Sequence, residues 1–295
     1  MSLRLEMLQT ARRAPKLLDD AVPLVHNFLM GQLHADGGFL NRAGQPDLYY
    51  TVFGLDSLLA LGAEPPYAVV ERYLQTFGSG EKLDLVHLSC LIRCWSLLPP
   101  DRVPPAWRAA WPGYLREFRA ADGGYSARRK AAQGTVYGCF MAVSTYENLG
   151  APVPEAEAIM ACLQTLQCSD GAYANDPIVA LGTTPTTAAV ITLQRNRGVT
   201  PLPAATQWLL ARAHPQGGFV ATAGTPMPDL LSTAVALHAL AQAGVDFAPL
   251  REKTLDFLDS LWTNQGGFHG TWADDALDCE YAYYALLALG HMAAS

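Results

Sequence analysis

The 295-residue sequence contains no run of about 18 consecutive apolar residues, so it lacks the material for a membrane-spanning helix. Its first residues include Arg4, Glu6, Arg12 and Arg13 and no apolar block of the kind a secretory leader carries. The expectation is a cytoplasmic protein with no membrane span. Basic residues are outnumbered, 20 Lys and Arg against 27 Asp and Glu, for a formal charge of −7. Without a basic excess there is no sequence-independent attraction to a phosphate backbone, and nucleic acid is not an expected partner. Cysteine is sparse and unpaired in sequence: the six residues form no C-x-x-C, and five of them sit in apolar helical patterns. Buried free thiols are expected rather than a metal clamp.

What the chain does have is repetition. Asp36-Gly37-Gly38-Phe39, Asp122-Gly123-Gly124-Tyr125, Asp170-Gly171-Ala172-Tyr173, Gln216-Gly217-Gly218-Phe219 and Gln265-Gly266-Gly267-Phe268 are five copies of one signature, and after the first they recur every 46 to 49 residues. The first gap is 86 residues, with a degenerate sixth copy at Phe77-Gly78-Ser79-Gly80-Glu81 near its middle. An amphipathic run precedes each copy, often with Pro near its start, where a missing N–H costs a helix nothing. A more apolar run follows, opening after Asp47, Asp84, Thr135, Thr183, Asp229 and Asp275. Asp and Thr at one equivalent position read as N-caps, each contributing about 1 kcal/mol.

A polar outer helix, a Gly-Gly turn and an almost wholly apolar inner helix, six times over, predict an all-α fold. The expected architecture is an α/α barrel, or toroid, of about six helical hairpins in one domain spanning 1–295, with 1–22 as an N-terminal helical extension. Ring closure hides the apolar inner faces, whereas an open solenoid needs polar terminal repeats, and the last run, Tyr281 to Leu289, is apolar.

The pattern of Gln or Asp before Gly-Gly-Phe, a loop, then Asp-x-x-x-Thr opening an inner helix resembles the repeat of protein prenyltransferase β subunits and of squalene cyclases, from about Leu24 to Gly290. The resemblance implies a prenyltransferase- or terpene-cyclase-like protein that holds an isoprenoid, or a similar elongated apolar small molecule, in the central cavity. It also implies a possible protein partner, since the prenyltransferases work with a helical second subunit. A shared fold does not carry a shared reaction. Two alternatives stay open: a non-catalytic toroid that binds or scaffolds, and a glycan-active enzyme with Asp229 and Asp278 as its carboxylate pair.

The family's zinc ligands, an Asp-x-Cys and a His, correspond to Asp229, Leu231 and Asp278. Only the Asp is kept, at a position already explained as a cap, so zinc is not expected and any other cofactor is unknown. Its diphosphate residues correspond to Ala223, Pro226 and about Thr183, with one basic position matched by Arg119. Arg119 with Arg128, Arg129 and Lys130 forms the best anion site or else a solvated basic loop. The cyclase acid motif finds Asp275-Ala276-Leu277-Asp278-Cys279, with Leu277 at the donor position.

The chemistry-bearing residues that remain cluster at the last inner helix. Asp274, Asp275, Asp278 and Glu280 lie within seven residues, and clustered carboxylates raise one another's pKa and supply a general acid or a hard-metal site. They also suit the first turn of a helix dipole. Asp278, Glu280 and Asp229 are the candidate acids, with Asp229 and Asp278 the ligands if a metal binds. Tyr50, Tyr137 and Tyr281 are candidate cavity rings, because packing alone favours aliphatic residues where a tyrosine hydroxyl needs a partner. His87 is a cavity acid or base, or a satisfied core residue. Cys279, aligned with Thr51 and Thr233, reads as a packing thiol.

Overall fold

The computed structural model describes residues 2–293. Helix α1 (Leu3–Ala11) and the single turn α2 (Pro15–Leu18) lead into six hairpins, each an outer helix followed by an inner one: α3 (Val22–Gly31) and α4 (Leu48–Ala60); α5 (Tyr67–Gln75) and α6 (Leu85–Trp95); α7 (Pro105–Arg116) and α8 (Val136–Asn148); α9 (Ala156–Thr165) and α10 (Thr184–Asn196); α11 (Pro203–Leu210) and α12 (Leu230–Gln242); α13 (Arg251–Leu261) and α14 (Cys279–Met292). Each inner helix packs on the next, and α14 packs on α4, so the ring is closed. This is the six-hairpin α/α barrel that the repeat predicts. No helix among the described residues is long and apolar enough to cross a membrane.

Every inner helix starts on a side-chain cap. Asp47, Asp84, Thr135, Thr183, Asp229 and Asp278 each accept a backbone N–H from the first turn. The last cap is Asp278 rather than Asp275, and α14 starts three residues later than its apolar run suggests. Asp275 is exposed, while Asp274 accepts the N–H of Ala276 and holds the preceding residues in a turn. Cys279 therefore occupies the position of Leu48 and Leu230, not that of Thr51 and Thr233.

The signature has two structural jobs. Its first glycine has positive φ and lets the next outer helix approach: a Cβ on Gly217 would lie 1.9 Å from the carbonyl oxygen of Lys253 on α13, and one on Gly266 2.2 Å from that of Leu24 on α3. The second of these contacts joins the last hairpin to the first. Its aromatic residue is buried, and in four of the five copies the backbone N–H donates to a side chain on the inner helix that follows. Phe39 donates to Thr51 Oγ1 at 2.9 Å, Tyr173 to Thr187 at 3.0 Å, Phe219 to Thr233 at 2.9 Å, and Tyr125 to Cys139 Sγ at 3.3 Å. In the first hairpin the turn widens into a two-stranded ribbon, β1 (Phe39–Leu40) and β2 (Pro46–Asp47), whose tip carries Arg42.

Helix α1 crosses the end of the ring opposite the caps, touching α4, α8, α10 and α14. A Cβ on Gly290 of α14 would lie 2.0 Å from the carbonyl of Thr10, so the two backbones pack directly. The N–H of Leu3 donates to Glu147 of α8 at 2.9 Å, and Arg4 reaches Asp56 of α4 at 3.2 Å. Asp56 is fully buried and is paired from the other side by Arg93 of α6. The ring is thus a cup, open at the caps and floored by α1.

Candidate functional site

Inside the cup lies a cavity of about 250 Å³, lined by Tyr49, Tyr137, Phe140, Leu231, Val235 and Tyr284 among others, with Met7 of α1 below. A smaller lobe of about 120 Å³ shares Tyr49, Tyr137, Phe140 and Tyr284 with it and extends toward Arg93 and Ser144. The lining follows helical spacing. Leu231, Val235 and His238 form one stripe of α12, and Glu280 and Tyr284 sit one turn apart on α14.

Glu280 is the only carboxyl lining this cavity among the described residues. Its Oε1 accepts the Tyr49 hydroxyl at 2.6 Å. Burial pushes its pKa up, Asp278 adds to the rise, and the Tyr49 hydrogen bond and Arg42 oppose it. Burial also raises the Tyr49 hydroxyl well out of the physiological range, so the phenol keeps its proton and remains a donor. Asp278 is buried at the rim. It caps α14 through the Tyr281 N–H at 2.9 Å and accepts Arg42 Nε at 2.8 Å. The same guanidinium reaches Asp274 at 2.8 Å and lies 5.3 Å over the Tyr281 ring.

Tyr50 packs edge-on to Tyr49 at the mouth, with ring centroids 5.6 Å apart. Tyr137 lines both lobes, and burial together with neighbouring acidic groups raises its hydroxyl to about 12. Tyr281 is likewise raised to about 12, by burial and Glu280. Of the three expected rings only Tyr137 lines the cavity; Tyr50 and Tyr281 are not part of its lining, and the remaining expected residues lie apart from it. Asp229 accepts the Ser232 N–H at 2.7 Å as the cap of α12, and burial raises its pKa. His87 turns back onto its own cap, Asp84, at 2.7 Å and is two-fifths exposed. Arg119, just past the end of outer helix α7, closes on Glu155 at the surface. Arg128 is exposed in the loop before α8, and its neighbour Arg129 pairs with Glu117 and covers Phe118. The expected anion site therefore belongs to the outer layer, because the turn that carries it connects to an outer helix.

Asp229, Leu231 and Asp278 do not suit zinc: two are helix caps and the third is an aliphatic side chain lining the cavity. Among the described residues, no three His, Cys, Asp or Glu side chains converge to hold a metal. Nor do Asp229 and Asp278 line the cavity as a carboxylate pair would.

The site contains residues that motif reading passed over. Arg42 is one. A second group appears on counting nine residues on from each cap, about 13 Å down the ring at the helical rise: Asp56, Arg93, Ser144, Thr192, His238 and Leu287. Five of the six are polar, forming a layer at the floor of an otherwise apolar cup.

The family model of the prenyltransferase alpha-alpha toroid domain matches residues 20–92, 69–182 and 186–294. The chain belongs to that family. No curated protein matches the sequence. Among solved structures the toroid is similar to a protein from Actinoplanes, at 18% identity, TM-score 0.62, and 94% and 99% coverage of this chain and that one. It is also similar to a type II terpene cyclase from Scytonema bound to geranylgeranyl dihydroxybenzoate, at 13% identity, TM-score 0.65, and 95% and 97% coverage. A third is Candida albicans protein geranylgeranyltransferase-I complexed with GGPP, at 14% identity, TM-score 0.52, and 97% and 83% coverage. At these identities the likeness is one of fold.

Proposed function

We propose that this toroid binds an isoprenoid or similar apolar chain in its cup and acts as a cyclase-like enzyme, with Glu280 as the general acid. The observation that carries this reading is a single carboxyl, partly buried and raised in pKa, projecting into an aromatic-lined cavity. A proton passed from Glu280 to an alkene leaves a carbocation. The negative faces of Tyr49, Tyr137, Phe140 and Tyr284 stabilise it, at about 2 kcal/mol or more per desolvated ring. Loss of a proton after ring closure makes the whole process an isomerisation. Asp278, tied to Arg42 and to its own helix, positions the first turn of α14 that carries Glu280. The related terpene cyclase and geranylgeranyltransferase, both seen with isoprenoid ligands, support the choice of ligand class.

The test is native mass spectrometry of the protein with geranylgeranyl dihydroxybenzoate and with farnesyl and geranylgeranyl diphosphates, followed by turnover in D2O. The expected outcome is stoichiometric binding and a product of unchanged formula carrying one new carbon-bound deuterium. Glu280→Gln should bind but turn over at least about 100-fold slower. Binding of these ligands without turnover of any of them would make the toroid a binding module, and no binding at all would end the isoprenoid reading. A prenyl-transfer reaction has less support, since the positions of the family's thiol-activating ligands are held by Asp229, Leu231 and Asp278.

A further inference from the structure

The floor of the cup is polar, and part of it is unsatisfied. His238 is 2% exposed, and its Nδ1 pairs with Nε2 of His291 at 3.3 Å, but its own Nε2 has no partner. In the adjoining lobe Ser89 Oγ and Arg93 Nε are also buried without partners. Buried polar atoms rarely stay unpaired, and each such atom costs free energy until something bonds it. His238 and Thr192 lie at the same level and both line the main cavity. The Thr192 hydroxyl already donates to Ala188 O at 2.8 Å, which leaves its oxygen free to accept.

We propose that the cavity takes an apolar chain bearing a hydroxyl group at its deep end, seated on His238. A hydroxyl suits the site whichever way the His238–His291 proton lies. If His238 Nδ1 donates to His291, its Nε2 is an acceptor for the O–H; if His291 donates, Nε2–H donates to the oxygen. A pure hydrocarbon satisfies neither arrangement. Burial lowers the pKa of His238 to about 4, so the ring is neutral at pH 7 and asks for a neutral polar group rather than an anion. Glu280 lies two residues from its cap and His238 nine from its own, an axial separation of roughly 10 Å. A short isoprenoid chain spans that distance with its alkene near the acid and its hydroxyl at the floor. The proposal rests on the isoprenoid reading for the chain and adds the polar terminus.

The test compares equilibrium binding of farnesene and farnesol, one chain without and one with a terminal hydroxyl, to the wild type, His238→Phe and Glu280→Gln. The wild type should hold farnesol at least about tenfold tighter. His238→Phe should lose that preference while still binding farnesene, which also shows that the variant is folded, and Glu280→Gln should keep it. If His238→Phe does not fold, His238→Leu takes its place, since Leu287 already occupies this level of the ring. Equal affinities in the wild type, a preference that survives at His238, or one lost only in Glu280→Gln would each overturn the proposal while leaving the isoprenoid cavity standing. Failure of both compounds to bind would overturn the proposal and the isoprenoid reading together.

Discussion

Glu280 couples chemistry to stability. Its folded pKa is raised, so between the ordinary carboxyl value of 4.5 and that raised value the folded state holds more protons than the unfolded one. Stability therefore falls as pH rises through this window. Glu280→Gln removes the effect: thermal melts should show the variant more stable than wild type at pH 7 to 8, with the gain vanishing below the ordinary carboxyl range. Activity should fall along the same limb, because the acid form disappears as pH rises. Arg42 makes a different prediction. It is two-fifths exposed, yet its removal leaves Asp278 buried without its cation. Arg42→Ala should cost about 2 kcal/mol by chemical denaturation, and adding Asp278→Asn, which keeps a capping oxygen, should recover part of it. Of these residues, Glu280 and Asp278 were legible as an acidic cluster at a helix start. Arg42 was not, because it lies 236 residues from its partner, and only ring closure brings the first loop beside the last cap.

The repeated signature explains itself at the level of elements: a glycine that admits the next outer helix, and a buried aromatic whose N–H, in all copies but the last, is tied to the following inner helix. The cost of disturbing it depends on what lies opposite. Gly217→Ala must place a methyl 1.9 Å from a carbonyl oxygen at φ +97°, whereas Gly62→Ala, at φ +74° after α4, meets nothing within 4 Å. Denaturation should show a loss of about 1 kcal/mol at Gly62 and at least about 3 kcal/mol at Gly217. The start of α14 shows where element reading slipped. In the preceding three hairpins the cap follows the signature aromatic by ten residues, as Tyr125 to Thr135, Tyr173 to Thr183 and Phe219 to Asp229 show, and Phe268 plus ten is Asp278. The apolar run began earlier because Ala276 and Leu277, though apolar, are part of the loop. The polar floor was equally present in the caps' own register and was obscured by the apolar residues around it.

For the whole molecule, closure of the ring followed from six repeats with apolar inner helices, but the free space inside did not. Cavity shape depends on which rotamers the rings adopt and on how deep α1 sits, and neither leaves a periodic trace. The buried imidazoles weaken the fold toward acid. His238 has a folded pKa of about 4 against an ordinary 6.5, and His291 is lowered as well. Their contribution is fully present above 6.5 and is lost as pH falls through that window, because the unfolded chain takes up the protons first. Urea midpoints should drop between pH 6.5 and 4, and His238→Leu should flatten that slope.

The seat of α1 against α14 also governs assembly. The segment preceding all six hairpins finds its direct backbone contact, Thr10 on Gly290, in the inner helix of the last of them. That contact spans nearly the full sequence and cannot form until the ring has closed, so it belongs late in folding. On a ribosome, α1 can meet α4, α8 and α10 as they emerge, but its seat on α14 waits through the synthesis of every hairpin, an interval of roughly 15 to 60 seconds at ordinary elongation rates, in which a chaperone has most to offer.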